Sequence, residues 1–99
     1  MASPNAILID ERDSVVTAVT EIPKGSSIIA KGCNTGGLKT QELIPKGFKV
    51  ALSFIPRESF VYKYGKPIGV AKRDIKAGTM VHVHNIRSNR GKEYGEGRR

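Results

Sequence analysis

Tryptophan is absent from this 99-residue chain, and aromatic side chains of every kind make up only 6% of it. A core must therefore be built from aliphatic residues. The stacking platforms that nucleic-acid modules set among their basic residues are scarce as well. A single cysteine, Cys33, excludes an internal disulfide framework and a cysteine-based zinc site within one chain. Such sparing use of cysteine suits a reducing compartment, and a cytoplasmic location is expected. The longest apolar run near the start, Ala6 to Ile9, is too short for the core of a signal peptide. No run approaches the length of a membrane span, and no window shows an apolar stripe of helical period with a capping box.

Negative charge is also in short supply. Nine Asp and Glu face 17 Lys and Arg, for a formal net charge of +8. Such a balance fits an anionic substrate, an acidic partner surface or a polyanion. The nucleic-acid reading has weak support, from Tyr62 and Tyr64 around Lys63 and from Tyr94 among the last residues. Nucleic acid is not the expected partner.

What the chain has in abundance is a recurring turn. Ile22-Pro23-Lys24-Gly25 returns as Ile44-Pro45-Lys46-Gly47, with relatives at Ile55-Pro56-Arg57-Glu58 and Ile75-Lys76-Ala77-Gly78. Proline presets φ for the first central position of a type I turn, and glycine is favoured at its last position. The spacings differ and the intervening segments do not match, so these are chain reversals and not a solenoid repeat. Between them the pattern has period two. Phe48, Val50, Leu52 and Phe54 alternate with Lys49, Ala51 and Ser53, which predicts a strand with one buried face. Further strands are predicted at 6–9, 14–19, 27–30, 38–43, 60–64, 68–72 and 80–86. Short strands punctuated by Gly and Pro predict a compact all-β domain over residues 1–87. The polar, net basic segment 88–99 is expected to be disordered in the isolated chain.

The two histidines are the leading candidates for chemistry. His82 and His84 fall two apart in Met80-Val81-His82-Val83-His84-Asn85-Ile86. On a strand they leave from one face, roughly 7 Å apart, with Asn85 on the other. Imidazole suits both proton transfer and metal ligation near neutral pH, but two histidines alone are too few to hold a catalytic metal. A third ligand would come from Asp74, a distant acid or another subunit. The second candidate is the segment Lys63-Tyr64-Gly65-Lys66-Pro67-Ile68-Gly69. It reads as a tight Gly-Lys-Pro turn, with glycines that admit close backbone approach and lysines able to clamp a carboxylate. The loop Lys31 to Gly37 only superficially resembles a phosphate-binding loop, because Leu38 intrudes before Lys39-Thr40 and no helix follows. Cys33 within it has no neighbouring base.

Read together, Ile44–Leu52 (IPKGFKVAL), Lys63–Ala71 (KYGKPIGVA) and Asp74–Ile86 (DIKAGTMVHVHNI) resemble the N-terminal domain of the altronate and galactarate dehydratases. They resemble equally the small subunit of sulfolactate sulfo-lyase. The opening Asp13–Gly25 fits the same pattern. The resemblance implies a SAF-type β-clip, a small unit of short strands folded twice on itself. It also implies lyase chemistry: removal of a proton next to a carboxylate, β-elimination of hydroxide or sulfite, and formation of a 2-keto acid. A divalent ion (iron, manganese or magnesium) would assist in the assembled enzyme. By the same resemblance His82 and His84 would serve in acid–base work or metal contact, and Lys63, Tyr64, Gly65, Lys66 and Asn85 would bind substrate. Single-chain dehydratases continue into a much longer catalytic domain, whereas this sequence ends at Arg99. A small subunit is therefore expected, largely inactive alone and completed by a separate large catalytic lyase subunit, acting on an anionic sugar acid or sulfonate. The alternative is a non-catalytic carbohydrate- or protein-binding module of the same fold, for which His-x-His-Asn would have no use.

Overall fold

The computed structural model describes residues 3–88. The segment expected to be disordered lies outside them, apart from Ser88 at its start. Eight short strands follow one another: β1 (Ala6–Ile7), β2 (Val15–Ala18), β3 (Ala30–Lys31), β4 (Lys49–Ala51), β5 (Phe60–Lys63), β6 (Lys66–Ala71), β7 (Met80–Val81) and β8 (Ile86–Ser88). They form a five-stranded sheet in the order β3-β1-β2-β4-β7 and a three-stranded sheet in the order β5-β6-β8. All neighbours are antiparallel except β1 and β3. No helix occurs among the described residues, as the all-β reading expects. None is therefore long and apolar enough to cross a membrane.

The four repeated turns organise this fold. Ile22 and Ile44 exchange both backbone hydrogen bonds, each at 2.8 Å, and Ile55 and Ile75 do the same at 2.8 and 2.9 Å. Each turn also reaches across to its partner. The N–H of its fourth residue donates to a carbonyl four residues before the opposite isoleucine: Gly25 to Thr40, Gly47 to Ala18, Glu58 to Ala71 and Gly78 to Ala51. The same four residues return a bond through their own N–H, to Ser26, Phe48, Ser59 and Thr79. The chain is thus clipped to itself twice by one pattern. All four isoleucines are buried, and full burial of such a side chain stabilises by about 1.5–3 kcal/mol.

The turn geometry differs from the expectation. Each turn closes from the carbonyl of its second residue, as in Ser26 N–H to Pro23 O at 3.2 Å. Its glycine therefore occupies the third of four corners, with φ of 79° at Gly25 and 86° at Gly78. A positive φ there is the mark of a type II turn and not type I. Proline opens the turn and does not fill its first central position. At Glu58 the same corner carries a side chain at φ 73°, a conformation costing roughly 1–2 kcal/mol in an L-residue. Its carboxylate meets Arg87 Nη2 at 2.7 Å.

Two apolar clusters make up the core. One joins Ala6, Val16, Ala18, Ile22, Ile28, Ile44 and Val50. The other joins Val15, Ala51, Ile55, Val61, Ala71, Ile75 and Val81. Strands β2 and β4 lie between them, pairing Val15 with Ala51 and Val16 with Val50. This corrects the one-sided reading of residues 48–54. Val50 and Ala51 are both buried because successive side chains enter opposite clusters, and Phe54, past the end of β4, is 54% exposed. The strand predicted over 38–43 is also absent. Only one isolated bridge, Ser27 to Lys39, touches that stretch, because its backbone bonds serve the turns.

The corners differ in the space they leave. A Cβ at Gly25 would meet nothing within 4 Å, whereas one at Gly78 would overlap the carbonyl oxygen of Lys39. Gly25→Ala should cost about 1–2 kcal/mol through φ alone. Gly78→Ala should cost a further 1–3 kcal/mol or so, as overpacked sites do. Urea denaturation of the two variants measures the difference.

Candidate functional site

The sequence reading treats Met80 to Ile86 as one strand. The structure breaks it after Val81, and residues 82–85 form a turn before β8. The cause is Asn85. Its Oδ1 accepts the His82 N–H at 2.9 Å and its Nδ2 donates to the Met80 carbonyl at 2.8 Å. Its own N–H and that of Ile86 both donate to the His82 carbonyl. An asparagine amide mimics backbone in this way and competes with the strand ladder. The Lys72 ammonium donates to the Val83 carbonyl at 2.9 Å and ties the turn to the end of β6.

The two imidazoles therefore do not share one face of a strand. The His82 ring is half-buried and meets Phe48 edge to face, with centroids 4.8 Å apart. His84 is exposed, and Val83 beside it is 68% exposed. Asn85 is buried, with both side-chain amide atoms bonded to the backbone of its own turn. It braces the turn at His82 and does not face solvent in this chain, where the sequence reading expects it among the substrate contacts.

The second segment is likewise rearranged. Its corner is Tyr64-Gly65, both at positive φ (59° and 72°), the signature of a two-residue type I′ hairpin. Lys66 and Pro67, expected within the turn, open β6. The register pairs Lys63 with Lys66 directly across the hairpin. Like charges so placed repel. The Lys63 Nζ lies 4.8 Å from the centre of the exposed Tyr64 ring, a cation–π contact.

Beneath this corner lies a residue that the sequence reading missed. The Asp13 carboxylate, buried, accepts the N–H groups of Tyr64 at 3.0 Å and Gly65 at 2.8 Å, and that of Asp10 at 3.1 Å. The backbone donors at Tyr64 and Gly65 are thus already taken by an internal anion. The expected carboxylate clamp keeps only the side chains of Lys63 and Lys66. Nor is the space over Gly65 open to a ligand, since Asp10 and Arg12 occupy it. The Arg12 guanidinium grips Asp10 with two bonds of 3.0 Å and holds its pKa at about 2, below the ordinary 3.8.

The histidine turn and the lysine hairpin lie at opposite ends of β6. The hairpin immediately precedes Lys66, while Ala71 pairs with Ile86 and Lys72 N–H bonds to Asn85 O. Strand rise separates Lys66 from Ala71 by roughly 16 Å. The structure therefore brings His82, His84 and Asn85 together and sets Lys63, Tyr64, Gly65 and Lys66 apart from them. Among the described residues, no group of three or more His, Cys, Asp or Glu is arranged to hold a metal ion. His82 and His84 do not form a metal centre with this chain's described residues alone.

These contacts can be tested separately. Asp13→Asn should destabilise the chain by about 2–4 kcal/mol, because buried N–H groups lose a charged acceptor. Asn85→Ala should cost a similar amount, and hydrogen exchange should quicken at Tyr64 and Gly65 in the first variant and at His82 in the second. The Asp10 carboxyl should titrate near pH 2 by NMR and return toward 3.8 in Arg12→Ala. With its folded pKa depressed, the pair contributes stability above pH ~4 that is lost as pH falls from there toward 2.

Comparison with known proteins places this geometry. The altronate/galactarate dehydratase SAF domain family matches residues 4–89. Altronate dehydratase of Bacillus subtilis is 37% identical over 83 residues, which is 84% of this chain but 16% of that protein. Altronate dehydratase of Escherichia coli is 35% identical over the same shares of each. The (2R)-sulfolactate sulfo-lyase subunit alpha of Chromohalobacter salexigens is 35% identical over 52 residues, 52% of this chain and 55% of that subunit. The chain thus spans about one-sixth of the length of the altronate dehydratases it matches. With its all-β architecture and a match over nearly all described residues, the chain belongs to the altronate/galactarate dehydratase SAF domain family.

Proposed function

We propose that this chain is the small, SAF-domain component of a sugar-acid dehydratase or related lyase, and that its histidine turn completes an active site built mainly by a much larger catalytic chain. The observation that carries this reading is the turn itself. It projects the exposed His84 beside the exposed Val83, on a backbone whose hydrogen bonds are made internally by Asn85 and Lys72. A rigid loop holding an imidazole and an uncovered apolar side chain is what a partner surface would close over. The net positive charge suits an anionic substrate and an acidic partner face. A cytoplasmic setting agrees with the single cysteine.

In the reaction proposed, a base removes the proton from the carbon bearing the substrate carboxylate. The hydroxyl on the adjacent carbon leaves as water after receiving a proton, and the enol tautomerises to a 2-keto acid. An imidazole is matched to such proton traffic near neutral pH. His84, free in solvent, is the group placed to hold or deliver a proton. His82, braced against Phe48, sets the base of the turn and offers a second nitrogen at its rim. A divalent ion in the assembled enzyme would stabilise the enediolate. Its ligands would have to include groups from outside this chain's described residues.

The test is the complex of the full chain with its large catalytic partner, assayed for conversion of altronate to a 2-keto acid. His84→Ala and His82→Ala should each lower turnover at least tenfold, a barrier increase of about 1.4 kcal/mol. His84→Ala should leave the melting midpoint of the chain unchanged, whereas His82→Ala should lower it slightly through the lost contact with Phe48. Wild-type turnover in both variants would remove the histidines from the reaction and leave a non-catalytic binding module.

A further inference from the structure

One of the four repeated turns departs from the others at its corner. Gly25, Gly47 and Gly78 hold the positive-φ position in three of them, and Glu58 holds it in the fourth at φ 73°. The Glu58 carboxylate takes the Arg87 guanidinium side by side, with Nη2 to Oε1 at 2.7 Å and Nη1 to Oε2 at 3.4 Å. Arg57 Nε lies 3.8 Å from Oε2. The Arg87 and Glu58 side chains are 43% and 51% exposed. An ion pair so open to water adds little stability, less than the strain of an L-residue in the left-handed region. Stability alone therefore favours glycine here, as at the other three corners. Backbone strain that no contact offsets is found where a protein positions groups for another molecule.

The strand register shows what the pair positions. Phe60, Val70 and Arg87 form a cross-strand row through β5, β6 and β8. Their neighbours Val61, Ala71 and Ile86 all join the second apolar cluster. Alternation therefore turns the row to the opposite face of the three-stranded sheet. Val70 is fully buried at the middle of that face, between Arg87 and Phe60. Phe60 is 41% exposed and meets the Tyr62 ring edge to face, with centroids 6.4 Å apart. Arginine and aromatic side chains around a closed apolar centre are the composition of a protein–protein contact. The surroundings are cationic. Lys72 and Arg73 are exposed just past Ala71, whose carbonyl accepts the Glu58 N–H. The face also runs into the histidine turn, because β8 starts where that turn ends and the Lys72 ammonium holds the Val83 carbonyl.

We propose that this outer face of the three-stranded sheet, with Arg87 set in place by Glu58, docks an acidic surface of the large catalytic chain. Docking there fixes the histidine turn against the active site. This rests on the lyase reading above and names the surface by which the partner is held. Two observations favour that occupant. Arg57, Lys72, Arg73 and Arg87 surround a single strained carboxylate, which opposes a second copy of the same face and suits an acidic one. The chain spans 16% of each altronate dehydratase it matches, and an enzyme completed by a second chain needs a surface to hold it.

The experiment measures the melting midpoint of the full chain alone and its association with the large catalytic chain by analytical ultracentrifugation. Glu58→Gly should raise the midpoint by up to about 4 °C, since it relieves the strain and loses only an exposed pair. It should nevertheless weaken association at least tenfold, and Arg87→Met should do the same. Lys24→Met removes a charge from an exposed turn of the other clip and should leave association within twofold of wild type. A midpoint of Glu58→Gly below wild type would make the pair a structural brace and overturn the proposal. So would a wild-type chain that binds the large chain no better than both variants do, a result that leaves the lyase reading standing. A wild-type chain that fails to bind the large chain overturns both. A dimer of the chain alone that Arg87→Met dissociates would give the face to a second copy and overturn its assignment to the catalytic chain.

Discussion

The reciprocal hydrogen bonds between Ile22 and Ile44, and between Ile55 and Ile75, are the constraint from which the rest of the fold follows. A strand of two to four residues has little stability alone. Here each pair of turns is closed by bonds that run both ways, with an isoleucine from each turn buried beneath them. The same pattern, displaced along the chain, builds both apolar clusters. The strands between the turns are held at both ends, so they stay ordered with only two or three ladder bonds. This explains how a chain with no tryptophan, and with all its phenylalanines at least partly exposed, folds around Val, Ile and Ala.

The part of the fold visible in the sequence is the part that local chemistry decides. Four Ile-Pro-Lys-Gly-like segments announced four reversals, and the run from Phe48 to Phe54 announced β4. Their pairing was not visible. It depends on contacts between residues 22 and 44, or 55 and 75, that no local pattern encodes. The turn type was misread for a related reason. Proline, the second residue of three of the four segments, suits a type I corner, but the bond closes from the carbonyl of that second residue, so the segment's last residue (glycine in three of them) takes the third corner of the turn. The alternation in β4 was misread because period two predicts one buried face only where one side of a strand has a core, and β4 has a core on each side.

The candidate site divides along the same line. His82 and His84 stood out by composition, being the only histidines, and a run of β-formers around them argued for a strand. Asn85 overrode that propensity through two side-chain bonds to backbone at 2.8 and 2.9 Å. The signal was present in the sequence, since asparagine is a turn former, but its apolar flanks outweighed it. Asp13 gave no comparable signal. Its partners Tyr64 and Gly65 are 51 and 52 residues away, and nothing in the surrounding Asp-Glu-Arg-Asp run sets it apart from solvated carboxylates. A buried anion bonded to two N–H groups from a distant segment can be recognised only once the chain is folded.

Lys49 is a local imperfection in the packing of the five-stranded sheet. Had the cross-strand row Ile7–Thr17–Lys49–Val81 been selected for stability alone, its third position would suit an aliphatic residue continuing the buried layer from Val81. A lysine there sacrifices solvation without gaining a carboxylate partner among the described residues, and burial pushes its pKa down. Positions that violate the rules of packing concentrate where a protein must leave an interaction for something else to complete. The histidine turn has the same character, with the His82 N–H and the His82 and Val83 carbonyls bonded and the side chains of His84 and Val83 left outside. Both irregularities flank the pairing of β4 with β7. They therefore lie beside one another, a half-buried lysine on one side of that pairing and an imidazole-bearing turn on the other.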